Sequence, residues 1–333
     1  MGQRHHVPYA NHKAEFFKAC HSLDITVLTG REAKSAIFYV LLFSLLLEEY
    51  PLVKHIVEID GLRIGEGYPV RLMGILNLSP ESFYKETTVR ERLSIQQLVE
   101  KMEGEGVDII DIGAASTAPS DIYGTPTISE REELTRVTSA LGYITDVTNL
   151  PLSIDTVSSD VAEAALDMGV SMVNDVSGLH SDSRMTDLVR SKDVPIVIMA
   201  NCGAPCESVS SSLEFLEESY TIAVKSGIGQ EKIILDPGIG FGKPAEVDFE
   251  LLGRLGEFVR FNQPLLVGVS RKAFIGSQLN QENPAERLNG SLAATAIAVN
   301  NGANVIRTHD VRETHTAVRI GEAILQQVTK VEE

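Results

Sequence analysis

Eight short apolar runs, rich in Val and Ile, recur between residues 70 and 310, and stretches with helical periodicity separate them. Near-continuous runs of this kind suit strands of a parallel sheet that is covered on both faces. Eight of them alternating with helices predict an α/β chain folded as a (β/α)8 barrel. The expected strands are 70–77, 107–112, 152–156, 171–176, 195–200, 232–235, 264–269 and 303–308. The expected helices are 95–105, 129–141, 159–168, 184–191, 211–226, 249–258, 284–300 and 311–328. Gly106, Gly169 and Gly227 stand where helices should stop. Ser129 is placed to cap a helix, with Glu132 in the capping-box position.

A barrel of this class places its chemistry at the C-terminal ends of its strands. The residues that end the apolar runs are therefore the candidates. They are Asn77, Asp111, Asp155, Asn174 and Asp175, Met199 to Asn201, Asp236, Ser270 to Lys272, and Arg307 to Asp310. Ahead of the first run, 56–69 alternates around Asp60-Gly61, a hairpin turn signal. Such a hairpin is expected to plug the bottom of the barrel. The chain thus divides into an extension, 1–52, to which no chemistry can be assigned, and a barrel, 53–333. Within the extension, 36–47 is strongly apolar but too short to cross a bilayer as a helix. It reads as a buried or docking helix, with a membrane- or partner-binding element as the alternative.

The 333 residues carry 29 Lys and Arg against 46 Asp and Glu, a net charge of −17. That balance argues against sequence-independent nucleic-acid binding, which needs clustered cations. The three cysteines, Cys20, Cys202 and Cys206, are too few for a disulfide framework and fit a reducing compartment. Cys202 and Cys206 have no matching Cys or His pair to complete a metal site. The N-terminus lacks the pattern of a secretory signal. A cytoplasmic protein, not bound to membranes, is expected.

The run-end residues sort by charge. Asp155 and Asp236, with the amide of Asn174, form a set suited to gripping a flat heterocycle through paired hydrogen bonds. Taken singly, each acid is as readily a helix N-cap. Lys243, Arg271, Lys272, Arg307 and His309 invert the sign of the chain locally, which points to an anionic ligand. Arg307 and His309 are two apart, so both can face the barrel axis; the plainer reading makes Arg307 a structural ion-pair partner. Gly238, Gly240, Gly242 and Lys243 resemble a phosphate cradle, but the spacing is not that of a P-loop and no Ser or Thr follows the lysine. These glycines are expected instead to let the backbone pass close to a bound ring.

In sequence order, these blocks resemble dihydropteroate synthases. The matching stretches are Met-Gly-Ile-Leu-Asn-Leu-Ser-Pro-Glu-Ser-Phe from Met73, Asp-Ile-Ile-Asp-Ile-Gly from Asp108, Ser-Ile-Asp-Thr from Ser153 and Asn-Asp-Val-Ser-Gly from Asn174. Asp-Pro-Gly-Ile-Gly-Phe-Gly-Lys from Asp236, Gly-Val-Ser-Arg-Lys from Gly268 and Arg-Thr-His-Asp-Val from Arg307 complete the set. The resemblance covers about 70–330. It implies a transferase that condenses dihydropterin methyl diphosphate with the amine of 4-aminobenzoate and releases diphosphate, in folate or methanopterin-type cofactor biosynthesis. It implies that Asp155, Asn174, Asp236 and Lys272 hold the pterin, with Met199 packed near it. It assigns the diphosphate to Asn77, Arg307 and His309, with Mg2+ near Asn77, and the arylamine to Thr117, Pro119, Phe241 and Lys272. Asp155, Lys272, Arg307 and His309 are the expected catalytic set. Family members are commonly homodimers, and the resemblance extends that expectation to this chain.

Three stretches depart from the family pattern. Ala114-Ala115-Ser116-Thr117-Ala118-Pro119-Ser120 stands where Gly-Glu-Ser-Thr-Arg-Pro-Gly is usual. Ser82-Phe83-Tyr84-Lys85-Glu86-Thr87 replaces Ser-Phe-Ser-Asp-Gly-Gly, and Met199-Ala200-Asn201 replaces Met-His-Met. The amine side is changed while the pterin and diphosphate motifs are intact. A bulkier acceptor follows as an expectation, such as a ribosyl phosphate derivative of an aminobenzene, with Lys85 on its phosphate. The competing readings are a pterin-dependent methyltransferase, which needs no diphosphate site, and a non-catalytic pterin-binding protein.

Overall fold

The computed structural model describes residues 55–78, 88–115, 128–201 and 206–331. The chain opens on an antiparallel hairpin, β1 (Val57–Ile59) and β2 (Leu62–Ile64). Asp60 and Gly61 turn it with φ of 48° and 83°, the left-handed pair that a two-residue hairpin demands. Eight parallel strands follow: β3 (Arg71–Asn77), β4 (Ile109–Gly113), β5 (Leu152–Asp155), β6 (Met172–Asp175), β7 (Ile196–Met199), β8 (Ile233–Asp236), β9 (Leu266–Val267) and β10 (Val305–Thr308). They pair in the order β8-β7-β6-β5-β4-β3-β10-β9, and a parallel bridge between Leu235 and Leu265 joins the two ends. The sheet is thus closed into the expected (β/α)8 barrel.

The helices are α1 (Thr88–Gly104), α2 (Glu130–Ile144), α3 (Ser159–Asp167), α4 (Arg184–Lys192), α5 (Val209–Lys225), α6 (Ala245–Gly253), α7 (Ala273–Leu279), α8 (Leu288–Asn300) and α9 (Val311–Val331). Their inward faces pack on the outward faces of the strands in one continuous apolar core. Ser129 caps α2 as expected, accepting from the Glu132 backbone N–H at 3.3 Å. The Glu132 carboxylate does not complete a capping box: it pairs with Arg136 one turn on. The sixth helix begins at Ala245 rather than 249, behind Pro244, and stops at Gly253 before a 3-10 turn, Leu255–Phe261. No helix was expected over 273–279. α7 spans only seven residues and lacks a side-chain cap bond at its start, so it leaves little local signal.

The hairpin does plug the barrel. Val57, Ile59 and Ile64 form a second apolar cluster with Met73, Ile109, Met172, Val197, Ile234, Leu266 and Val305, which point inward from the barrel strands. All are essentially sealed from solvent. At about 25 cal/mol per Å2 of apolar surface buried, each large side chain there contributes roughly 1.5–3 kcal/mol. Among the described residues, no helix is long and apolar enough to cross a membrane. Cys206 is disulfide-bonded, which departs from the expectation of unbridged cysteines; Cys20 and Cys202 lie outside the described residues. The segments 1–52 and 36–47 lie outside them as well.

Candidate active site

The opposite end of the barrel is polar. β-register brings Asn77, Gly113, Asp155 and Asn174 side by side across β3 to β6, and sets Met199 beside Asp236 across β7 and β8. Above them opens a cavity of about 380 Å3, lined by Asn77, Asp155, Asn174, Met199, Asp236, Phe241, Lys272, Arg307 and His309 among others. Its size is that of a small-molecule pocket. Each residue within the described segments to which the family resemblance gave a role lines it, whereas Asp111, Asp175, Lys243 and Asp310 do not. Thr117 and Pro119 fall outside those segments, as do Lys85 and the altered loops 82–87 and 116–120.

Arg307 is the centre of the network. Its Nε donates to Asp111 Oδ2 at 2.6 Å and its Nη2 to Asp155 Oδ2 at 2.7 Å. Asn174 Nδ2 donates to the same Asp111 oxygen at 3.1 Å. Arg307 is therefore both a structural ion-pair partner and a lining residue, so the two readings of it are not exclusive. Its two carboxylates hold the guanidinium proton more firmly than usual against the opposing effect of burial. Asp111 is the residue that sequence reasoning left without a role. It is completely buried, and its other oxygen has no hydrogen-bond partner among the described residues. A charged residue in the middle of the apolar run Ile-Ile-Asp-Ile was the available signal.

Around this centre, burial shifts Asp236, Lys272 and His309. It raises the proton affinity of Asp236, whose Oδ1 accepts from the Gly238 backbone N–H at 2.7 Å. Burial, and then Arg307, bring Lys272 down to about 8. The Lys272 ammonium sits 3.9 Å from the centre of the Phe241 ring, a cation–π contact. His309 stands at the rim, one edge open to solvent, and desolvation with Arg307 and Arg271 lowers it to about 4. The imidazole is thus neutral at pH 7. Its Nδ1 bonds Ser270 Oγ at 3.0 Å, and its backbone N–H donates to the same hydroxyl. Arg271 lines the rim in a left-handed conformation, φ 57°, with its side chain paired to Asp310.

Two expectations are corrected here. Lys243 does not join the cationic rim: it is buried beneath the loop and donates to two backbone carbonyls. Gly238 and Gly240 of that loop are close-packed against protein, whereas Gly242 has open space around it. A Cβ on Gly238 would lie 2.2 Å from the Ala200 carbonyl oxygen, and one on Gly240 would lie 2.7 Å from the Lys272 stem. Phe241 and Lys272 are therefore brought together by glycine at position 240.

A (β/α)8 barrel whose mouth joins acids, an amide and an Arg/His pair in one pocket is an enzyme architecture with a polar small-molecule site. The model for pterin binding enzymes matches residues 73–309. A bifunctional folylpolyglutamate synthase/dihydropteroate synthase of Halobacterium salinarum is 39% identical over 78% of this chain, which spans 32% of that longer protein. The dihydropteroate synthase of Escherichia coli is 37% identical over 80% of this chain and 95% of its own length. Among solved structures, that of the Xanthomonas albilineans dihydropteroate synthase with 4-aminobenzoic acid superposes with a TM-score of 0.74 at 34% identity, covering 81% of this chain and 98% of that one. The same enzyme with 7,8-dihydropteroate gives 0.71 at 32% identity over the same shares. The chain belongs to the dihydropteroate synthase family of pterin-binding enzymes.

Proposed function

We propose that this chain condenses dihydropterin methyl diphosphate with an arylamine, releasing diphosphate, as a transferase of cofactor biosynthesis. The observation that carries the reading is the single cavity in which Asp155, Asn174 and Asp236 meet Arg307 and His309. Asp155, Asn174, Asp236 and Lys272 grip the pterin edge, and Met199, which lines the same cavity, packs near it. The methylene–oxygen bond breaks and its electron pair leaves with the diphosphate. The arylamine nitrogen supplies the pair for the new carbon–nitrogen bond and loses a proton. Arg307, with Nη1 uncommitted among the described residues, and neutral His309, through Nε2, receive the charge that develops on the diphosphate. The carboxylates of Asp155 and Asp236 favour the positive charge left on the pterin methylene. Holding a weak nucleophile in line provides much of the rate; Lys272 and Phe241 serve that side, with Thr117 and Pro119 from the loop outside the described residues.

Magnesium fits in a limited way. Among the described residues no three His, Cys, Asp or Glu side chains cluster as a metal site. Mg2+ is commonly held by few protein oxygens together with phosphates and water. The Asn77 amide oxygen at the exposed end of β3 is the candidate protein ligand, and the ion would offset diphosphate charge.

Plain 4-aminobenzoate is the acceptor the family relationship favours, whereas the changed loop that begins at Ala114-Ala115 favours a ribosylated aminobenzene. Ala115 lines the cavity, so the change reaches the pocket itself. Supplying dihydropterin diphosphate with each amine and measuring diphosphate release decides between them. Turnover with 4-aminobenzoate alone rejects the altered acceptor, and release with neither rejects the transferase. A homodimer is part of this reading. Ile297 on α8, with Ile320 and Ile324 one turn apart on the adjacent α9, are about half exposed. Sedimentation of the full chain at twice the monomer mass is the expected result.

A further inference from the structure

We propose that Lys243 and Asp248, which do not line the cavity, are positioning residues that hold Phe241 against Lys272 and so set the arylamine side of the pocket; the inference rests on the transferase reading above. Lys243 Nζ donates to Ala200 O at 3.0 Å and to Gly238 O at 2.7 Å. Ala200 follows β7 and Gly238 follows β8, so one buried ammonium ties the exits of two neighbouring strands. Both its acceptors are carbonyls that an anion would have to displace, so this lysine is built for the loop and not for phosphate. Asp248, in the first turn of α6, accepts from the Gly240 backbone N–H at 2.7 Å through Oδ1. The arch from 238 to 241 is therefore pinned at both shoulders.

The pins act on the pocket through contact. Gly240 has φ 78°, and a Cβ there would crowd the Lys272 stem at 2.7 Å, so a side chain at 240 would displace Lys272. The next residue, Phe241, lays its ring on the Lys272 ammonium. If the arch rises, the ring and the ammonium separate, and the face offered to an aromatic amine changes. Asp236, at the start of the same loop, is less exposed to such movement because it is fixed in β8. Lys243 and Asp248 also act on each other electrostatically: the carboxylate opposes the loss of charge that burial imposes on the amine, which sits at about 8. Burial raises Asp248 to about 6, so both groups are charged at pH 7.

The test compares two probes on the full chain by calorimetry: pteroate, a pterin joined to 4-aminobenzoate, and the pterin alone. Asp248→Ala removes the acceptor for Gly240 and is expected to weaken pteroate about tenfold while pterin changes less than about threefold. Asp248→Asn keeps an acceptor oxygen and is expected to restore pteroate affinity to within about threefold of the parent. Lys243→Met should follow the alanine variant, with the KM for arylamine rising and that for pterin diphosphate nearly constant. Equal losses for both probes, or no loss of pteroate, overturn the proposal. Equal affinity of the parent chain for the two probes overturns it as well. Absence of diphosphate release by the parent chain rejects the transferase instead, and leaves the two-probe comparison readable.

Discussion

The two ends of the barrel are built from the same strands and have opposite chemistry. At the bottom, Met73, Ile109, Met172, Val197, Ile234, Leu266 and Val305 meet the hairpin in a dry plug. A few residues further along four of those strands, Asp111, Asn174, Asp236 and Arg307 share the mouth with Asp155 of β5. Asp155 and Arg307 lie on strands that also feed the core, so the contrast is one of position along the strand and not of element. It teaches that this chain separates what stabilises it from what it does. Side chains below can be large and apolar, while those above are polar or charged groups withdrawn from bulk water.

Substitutions at the two ends should therefore have opposite effects. Lys272→Met at the mouth should lower kcat/KM by about a hundredfold or more. Its melting temperature should hold or rise, because burial and Arg307 both oppose the ammonium it removes. Melting curves alongside steady-state kinetics check both halves, and a large drop in stability with activity retained would erase the contrast. Ile234→Ala at the plug should cost about 3 kcal/mol in denaturant unfolding, by transfer and cavity terms together. The kcat/KM per folded molecule should stay within about twofold, since the cavity lies at the other end.

Much of this contrast was legible in the sequence. Apolar runs gave the strands, and the polar residue ending each run marked the mouth. The hairpin was readable from Asp60-Gly61, because only a left-handed turn needs such a pair there. Asp111 was not readable as a support, because its role depends on Arg307, which lies 196 positions away in the chain. Lys243 was misread for a related reason. Its position after a glycine loop suggested a ligand, whereas two carbonyls brought in by β7 and β8 claim its amine. Local spacing gives no account of partners that tertiary folding delivers. α7 escaped because a helix of seven residues has scarcely one amphipathic turn to display.

Smaller effects sharpen the picture. Lys272 and Lys243 both sit at about 8, far below an ordinary lysine. As pH rises through that value Lys272, the one of the two that lines the cavity, loses its charge, so affinity for pterin diphosphate should fall several-fold between about pH 7 and 9.5. For stability the sign is reversed. The unfolded chain keeps these protons up to about 10.5, so each lysine's desolvation cost is present below 8 and is relieved between 8 and 10.5. Calorimetric titrations and melts across that range test the pair, and flat affinity would contradict it. Ser270→Ala frees the His309 ring from its hydroxyl partner and should lower kcat/KM by about fivefold with no change in arylamine KM. The smallest change is expected at the hairpin turn. Gly61 has open space around it but φ 83°, so Gly61→Ala should cost about 1 kcal/mol through backbone strain alone and leave kinetics untouched.

The most direct measurement is the affinity of the chain for dihydropterin methyl diphosphate against the same pterin carrying only a hydroxymethyl group, with Arg307→Gln alongside. Pterin-gripping carboxylates and a diphosphate-receiving Arg/His pair in one mouth require an advantage of about tenfold or more for the diphosphate, largely abolished in the variant. Equal binding of the two ligands by the parent chain, or an advantage that survives Arg307→Gln, would contradict the account.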